Sequence, residues 1–172
     1  MSETALCRDR LKEYIIGDFV FDLGAGGSSC LPGKAITLDM PQPYCPPLEG
    51  MNQILRGDYR KLEFICDEAA TTVWSSHCIE DWHIPEQIII VNEWKRILRC
   101  FGNLIIIAPD EKVYAEHCRK SGQCHNDNHK LVDYSLELFK REVLPHTGRW
   151  EILYENPLVD TYSWNLVLQK LP

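Results

Sequence analysis

Several features that would assign a chain to a class at once are missing here. No run of about 18 consecutive apolar residues occurs, so no stretch is long enough to cross a bilayer as a helix. Met1-Ser2-Glu3-Thr4 lacks the basic-then-apolar pattern of a secretory leader, and a cytoplasmic protein is the expectation. Positive charge is not in excess: 18 Lys and Arg stand against 25 Asp and Glu, a formal net charge of −7. That balance argues against a broad basic surface for nucleic acid as a partner. The eight cysteines (7, 30, 45, 66, 78, 100, 118 and 124) include no Cys-x-x-Cys pair, so free thiols are expected rather than a disulfide framework. No Gly-x-Ser-x-Gly elbow is present, which removes the usual serine-hydrolase nucleophile. With no internal repeat, low-complexity tract or linker, residues 1–172 read as a single domain.

What the chain does have is a strand-like apolar run that ends in an acid and a glycine turn, Val20-Phe21-Asp22-Leu23-Gly24-Ala25-Gly26-Gly27. Glycine lets the backbone turn sharply and approach a ligand without a side chain between them. A second acid, Asp39, ends the next apolar run, Ala35-Ile36-Thr37-Leu38, and is placed to accept hydrogen bonds from a ribose. A nicotinamide-binding turn would want a third glycine where Ser29 stands.

The rest of the chain alternates strands and helices. Helical spacing is read over residues 3–16 (ended by Gly17), Pro85–Arg99, 111–119 and 133–144, with a weaker signal over Tyr59–Ile65. Strands are read at Asp18–Leu23, Ala35–Leu38, Gln53–Arg56, Thr71–Trp74 and Leu104–Ala108. A closing hairpin of Trp150–Tyr154 and Tyr162–Leu168 turns around Asn156-Pro157. The result is an α/β domain with a Rossmann-like, mostly parallel sheet and an antiparallel C-terminal hairpin. Gly24–Lys34 is too short for a normal crossover helix, and Pro41, Pro43, Pro46 and Pro47 exclude a regular helix from the next connection. The helices after the first two strands are therefore expected to be reduced or absent. That would expose an apolar sheet face, to be covered by the N-terminal helix or by a second copy in a homodimer. Parallel sheets bind ligands beyond the carboxyl ends of their strands. Asp22–Gly26, Asp39, Asp58 and Ser75–His77 all fall at such ends.

These segments, in this order, resemble class I S-adenosylmethionine-dependent methyltransferases of the type 11 kind. The likeness runs from about Asp18 to Lys170. Asp22-Leu23-Gly24-Ala25-Gly26 is similar to their Asp/Glu-x-Gly-x-Gly turn, and Asp39 to the later ribose acid. Trp74-Ser75-Ser76-His77-Cys78-Ile79-Glu80 resembles their Ser-Ser-His-x-Leu-Glu segment. Glu93-Trp94-Lys95-Arg96-Ile97-Leu98-Arg99-Cys100-Phe101-Gly102 resembles the helix and turn that follow. The resemblance implies S-adenosylmethionine as cofactor and transfer of a methyl group to an acceptor, expected to be a small molecule. Asp22, Gly24, Ala25 and Gly26 would shape the pocket for the methionine and sugar, Asp39 would hold the ribose, and Met40 would pack on the adenine. Gly57, Asp58 and Tyr59 would lie at the adenine edge, with Asp58 accepting from its amino group, and Ser75, Ser76 and His77 would line the floor near the sulfonium. The shortened connections leave an alternative open, a degenerate methyltransferase-like module that binds a partner without turnover.

A catalytic base is needed only if the acceptor must lose a proton. His77 is the nearest candidate, with His83, His125 and His129 further off. Substrate contacts are expected in residues 80–85 and 121–129, where Trp82 offers a stacking face and His125, Asn126, Asn128 and His129 offer polar groups. A zinc site could be drawn from His117, Cys118, Cys124, His125 and His129, but their spacings match no standard ligand knuckles, so the reading is no metal.

Overall fold

A computed structural model describes residues 3–25, 29–31, 33–40, 54–159 and 161–172. Seven strands form one sheet in the order β3-β2-β1-β4-β5-β7-β6. They are β1 (Val20–Leu23), β2 (Ile36–Asp39), β3 (Ile54–Arg56), β4 (Ala70–Ser76), β5 (Leu98–Pro109), β6 (Trp150–Val159) and β7 (Ser163–Lys170). The first five run parallel, while β7 is antiparallel to both β5 and β6. Each strand of the hairpin was legible as an apolar run, and the sheet is of the expected Rossmann-like kind.

The central strands are apolar on both faces because both faces are covered. On one side Leu23, Leu38, Val73, Leu104, Ile106 and Trp164 pack beneath helix α2 (Ile84–Ile97) and helix α4 (Leu136–Glu142). Ile90, Val91, Trp94 and Ile97 of α2 are fully buried there. Their i, i+1, i+4, i+7 spacing is one helix face. On the other side Val20, Trp74, Ile105, Ile107 and Val167 pack against Cys7 and Leu11 of helix α1 (Glu3–Leu11), with Tyr14, Ile15 and Leu31 at the margin. Each fully buried aliphatic side chain contributes about 1.5–3 kcal/mol, so Leu11 alone makes α1 a structural part of the domain. This settles one of the two routes left open above: the N-terminal helix does lie on that face.

None of the described residues between β1 and β2 is helical, as the length of the connection implied. The proline-rich connection over residues 41–53, with Gln53, lies outside the described residues. Residues 57–69 between β3 and β4 form turns, correcting the helix read over Tyr59–Ile65. That segment is held instead by side chains of α2. Trp94 Nε1 donates to the Tyr59 carbonyl at 3.0 Å, and Arg96 donates to the carbonyls of Leu62 (2.8 Å) and Ile65 (2.9 Å). Glu93 accepts from the Leu62 amide at 2.6 Å. Backbone groups a helix would have paired internally are thus satisfied from outside.

Several boundaries also move. α1 gives way to a 3-10 turn at Lys12–Tyr14 before reaching Gly17. α2 is opened by a capping box between His83 and Glu86 and ends at Ile97. Leu98 and Arg99 already belong to β5, where Leu98 pairs with Ala70. A register shift follows, and Gly102 passes so close to the sheet that an added Cβ would lie 2.9 Å from the Arg99 carbonyl oxygen. Helix α3 spans Glu111–Ser121 and ends at Gly122 in the left-handed region, φ 72°. α4 starts later than expected because Ser135 caps it, accepting from the Leu138 amide at 3.2 Å. β6 runs through Asn156-Pro157 to Val159, so the turn comes later and β7 begins at Ser163. Pro157 is tolerated because β6 is an edge strand and the register shifts there.

Candidate cofactor site

The parallel register brings the ends of β1, β2 and β4 side by side. Asp22 pairs in register with Thr37 and Trp74, and Leu23 with Leu38 and Ser75. The Gly24 amide donates to the Leu38 carbonyl at 2.9 Å, so the glycine turn leaves the sheet beside Asp39. Residues far apart in sequence therefore meet on one edge, as the strand-end argument required. Gly26 lies outside the described residues.

Asp22 is 1% exposed. Its Oδ2 accepts from the Cys30 amide at 2.6 Å, closing the loop that follows the turn. Its Oδ1 is buried with no hydrogen-bond partner among the described residues. Burial pushes the carboxyl up to about 6, against the pull of the Cys30 amide, and the nearby Asp39 charge adds to the rise. Such an acid is expensive to ionise and has one oxygen left to give. Asp39 is nearly as buried and receives the Met40 amide at 2.7 Å, while Met40 itself is 7% exposed.

Gly24 has φ 71°, and its missing side chain makes room for Cys78: an added Cβ would sit 2.6 Å from Cys78 Cβ. The glycine is thus required by packing at the β4 loop. Cys78, fully enclosed, has its thiol pushed well above the usual range by burial, and its Sγ lies 3.0 Å from Ser75 Oγ. Ser75 and Ser76 are both buried at the end of β4.

His77 follows with φ 54°, a left-handed conformation uncommon outside glycine. Its amide donates to the Ile107 carbonyl at 2.9 Å, which fixes the reversal. The ring lies between two neighbours, Nε2 at 3.2 Å from Ser163 Oγ and Nδ1 at 3.5 Å from Glu80 Oε1. Both nitrogens are turned toward protein groups, which suits positioning better than proton abstraction.

At the β3 end, Asp58 is held by Arg60 through contacts of 2.7–3.0 Å, which keeps its carboxyl below the usual range. Arg60 in turn lies 4.1 Å from the centre of the Trp82 ring. Tyr59 is buried, and its hydroxyl accepts from Trp82 Nε1 at 3.0 Å. Trp82 is therefore already stacked and hydrogen-bonded within the protein. His83 caps α2. His125 and His129 converge on Glu111, Nε2 of the first at 2.5 Å from Oε1 and Nδ1 of the second at 2.8 Å from Oε2. Cys78, Glu111 and Ser163 were not singled out from sequence, and Glu80 only as the start of a substrate loop. The Cys and Glu after Ser-Ser-His carried the only signal; Glu111 reads simply as a first-turn helix acid.

A sheet of this order, with strand seven inserted antiparallel between five and six, is the fold of the class I S-adenosylmethionine-dependent methyltransferases. No family model matches the sequence, and no curated protein matches it. Solved structures do match in shape. A SAM-dependent methyltransferase from Archaeoglobus fulgidus aligns with a TM-score of 0.69 at 15% identity, covering 98% of this chain and 95% of that one. A SAM-dependent methyltransferase from Aquifex aeolicus gives 0.60 at 16% identity, covering 93% and 87%. A Haloferax volcanii protein solved in complex with the Trm112 methyltransferase activator gives 0.63 at 14% identity, covering 98% and 94%. Among the described residues, no helix is long and apolar enough to cross a membrane.

Proposed function

We propose that this chain binds S-adenosylmethionine at the carboxyl edge of β1, β2 and β4 and transfers its methyl group to a small-molecule acceptor. The observation that carries the reading is the convergence of Asp22, Gly24, Asp39, Ser75 and Ser76 on adjacent strand ends of a sheet with methyltransferase order. The structural neighbours are described as dependent on the same cofactor, which is consistent with this assignment. The residues present fit it. Among the described residues Asp22 Oδ1 is buried without a hydrogen-bond partner, and Asp39 stands at the end of the adjacent strand, where its carboxylate would reach a ribose.

The sulfonium supplies a methyl group on a good leaving group, so the protein's task is alignment and exclusion of water. Asp39 would accept from the ribose hydroxyls and set the register of the nucleoside. Met40 would pack beside the adenine. Ser75 and Ser76 would form the floor, and His77, held between Ser163 and Glu80, would shape the wall toward the acceptor. Asp58 is engaged by Arg60, so an adenine contact there requires that pair to open.

A second reading is favoured by the same loop. Among the described residues between β1 and β2 none is helical, so none of them offers the amide-lined helix start that would face an anionic group. A methyltransferase-like module that binds without turnover, alone or completed by a protein partner, accounts for that feature. Calorimetric titration with S-adenosylmethionine and S-adenosylhomocysteine tests the cofactor step, and methyl release in the presence of candidate acceptors separates the enzyme from the module. Saturable binding supports the first step. No heat at millimolar ligand rejects it.

A further inference from the structure

The loop after α3 builds a second constellation. Glu111, at the first position of α3, is 3% exposed, and Glu80, beyond β4, is 1% exposed. Among the described residues neither carboxylate meets a Lys or Arg side chain; each faces imidazoles. Glu111 is clasped by His125 Nε2 and His129 Nδ1, and ligand atoms of these three residues all lie within 4.8 Å of one another. Among the described residues, neither side-chain oxygen of Glu80, both buried, has a hydrogen-bond partner. Its Oε1 lies 3.8 Å from His129 Nε2 and 3.5 Å from His77 Nδ1, farther than a hydrogen bond.

We propose that Glu111, His125 and His129 form a binding site for a divalent transition-metal ion of the zinc class, with Glu80 as the outer carboxylate that orients His129. Two imidazoles and one carboxylate are the right donors for such an ion, and three protein ligands leave a further position for water or another oxygen ligand. Ligand atoms about 2 Å from one metal centre lie about 3.3 Å apart, so the observed cluster needs only small ring rotations to close on an ion. Binding through His129 Nδ1 leaves the proton on Nε2, directed at Glu80, which is the usual arrangement of carboxylate, histidine and metal. Glu80 gains a hydrogen-bond donor, and two buried carboxylates come to face a cation.

The frame is built to hold these rings. Tyr114 packs between them, 5.1 Å from the centre of each. The His129 amide bonds the Asn126 carbonyl at 3.3 Å, the Asn128 amide bonds Asn126 Oδ1 at 3.1 Å, and the Lys130 amide ties the loop to the Glu80 carbonyl at 3.2 Å. Thiols are not part of the set: Cys124 is exposed, and Cys118 is directed at the Cys124 carbonyl at 3.9 Å. The contact chain from His77 through Glu80 to His129 places the ion on the β4 side of the cofactor edge. An oxygen-bearing methyl acceptor would be a suitable ligand for the remaining position; that last point rests on the proposed function, and the ion itself does not.

The test uses untagged full-length protein freed of metal by a chelator. Zinc is titrated by calorimetry and cobalt by visible ligand-field absorption, both without S-adenosylmethionine, so failure here leaves the cofactor reading untouched. The native chain and a Cys66→Ser/Cys124→Ser variant, which removes the exposed thiols among the described residues, are expected to bind one equivalent alike, with a cobalt spectrum of low coordination number. His125→Ala and His129→Ala should each weaken zinc binding at least tenfold, and Glu80→Gln about tenfold. His125 is 40% exposed, so its variant folds and decides the matter if the buried variants do not. No zinc binding by the native chain overturns the proposal, as does binding unchanged in His125→Ala or lost in the thiol variant.

Discussion

Gly24 and Cys78 occupy one space: a Cβ on residue 24 would lie 2.6 Å from Cys78 Cβ and 2.7 Å from its Sγ. The glycine turn after β1 and the loop after β4 are thereby locked together at the cofactor edge. Gly24→Ala is expected to destabilise the fold by about 2–4 kcal/mol, combining a left-handed backbone with overpacking. Urea unfolding measures it. Cys78→Ala should not rescue the variant, because the nearest clash is with Cβ rather than with sulfur.

Asp22 carries a pH-dependent cost. Its carboxyl is raised from 3.8 to about 6 by burial, so the folded chain binds that proton more tightly than the unfolded chain does. The sign follows: the protonated group is tolerated below about pH 4, and stability is lost as pH rises through the folded value near 6. Asp22→Asn can still accept from the Cys30 amide while removing the buried charge. It should be more stable than the native chain at pH 7–8, by up to about 3 kcal/mol, with the gap closing toward pH 4. Thermal melts of both proteins across that range check the direction. A constant difference would place the Asp22 charge elsewhere.

Arg96 stands in for a missing helix. Its guanidinium bonds the carbonyls of Leu62 and Ile65 and is itself paired with Glu93 and Asp67. Arg96→Met keeps the stem but orphans both carbonyls, and a loss of about 1–3 kcal/mol is expected. Hydrogen exchange should accelerate first in residues 57–69. Uniform acceleration across the sheet would show that this segment is held by other means.

The strands were legible because a parallel sheet covered on both faces needs short continuous apolar runs, such as Leu104–Ala108, closed by acids, glycines or serines. The edge that gathers Asp22, Asp39 and Ser75 followed from strand ends alone. What escaped depended on contacts made across the fold. The Tyr59–Ile65 segment has helical spacing, yet Trp94 and Arg96 take its carbonyls, so turns win. Pro157 looked like a turn because strand interiors exclude proline, and only the edge position of β6 permits it. Trp82 reads as a stacking face in the sequence; in the fold Arg60 lies over its ring and its indole N–H donates to Tyr59. Glu111 meets His125 and His129 at sequence separations of 14 and 18, across helix α3 and the loop after it, a spacing without periodicity to reveal it.

The central claim is that the edge formed by Asp22, Gly24, Asp39 and Ser75 holds S-adenosylmethionine. Calorimetric titration of the native chain beside Asp39→Ala tests it most directly. The native chain should bind saturably, and the variant should lose about 1–3 kcal/mol, roughly tenfold to a hundredfold in affinity, with an unchanged melting profile. No binding by the native chain at millimolar cofactor, or equal affinity in the two proteins, would contradict the account.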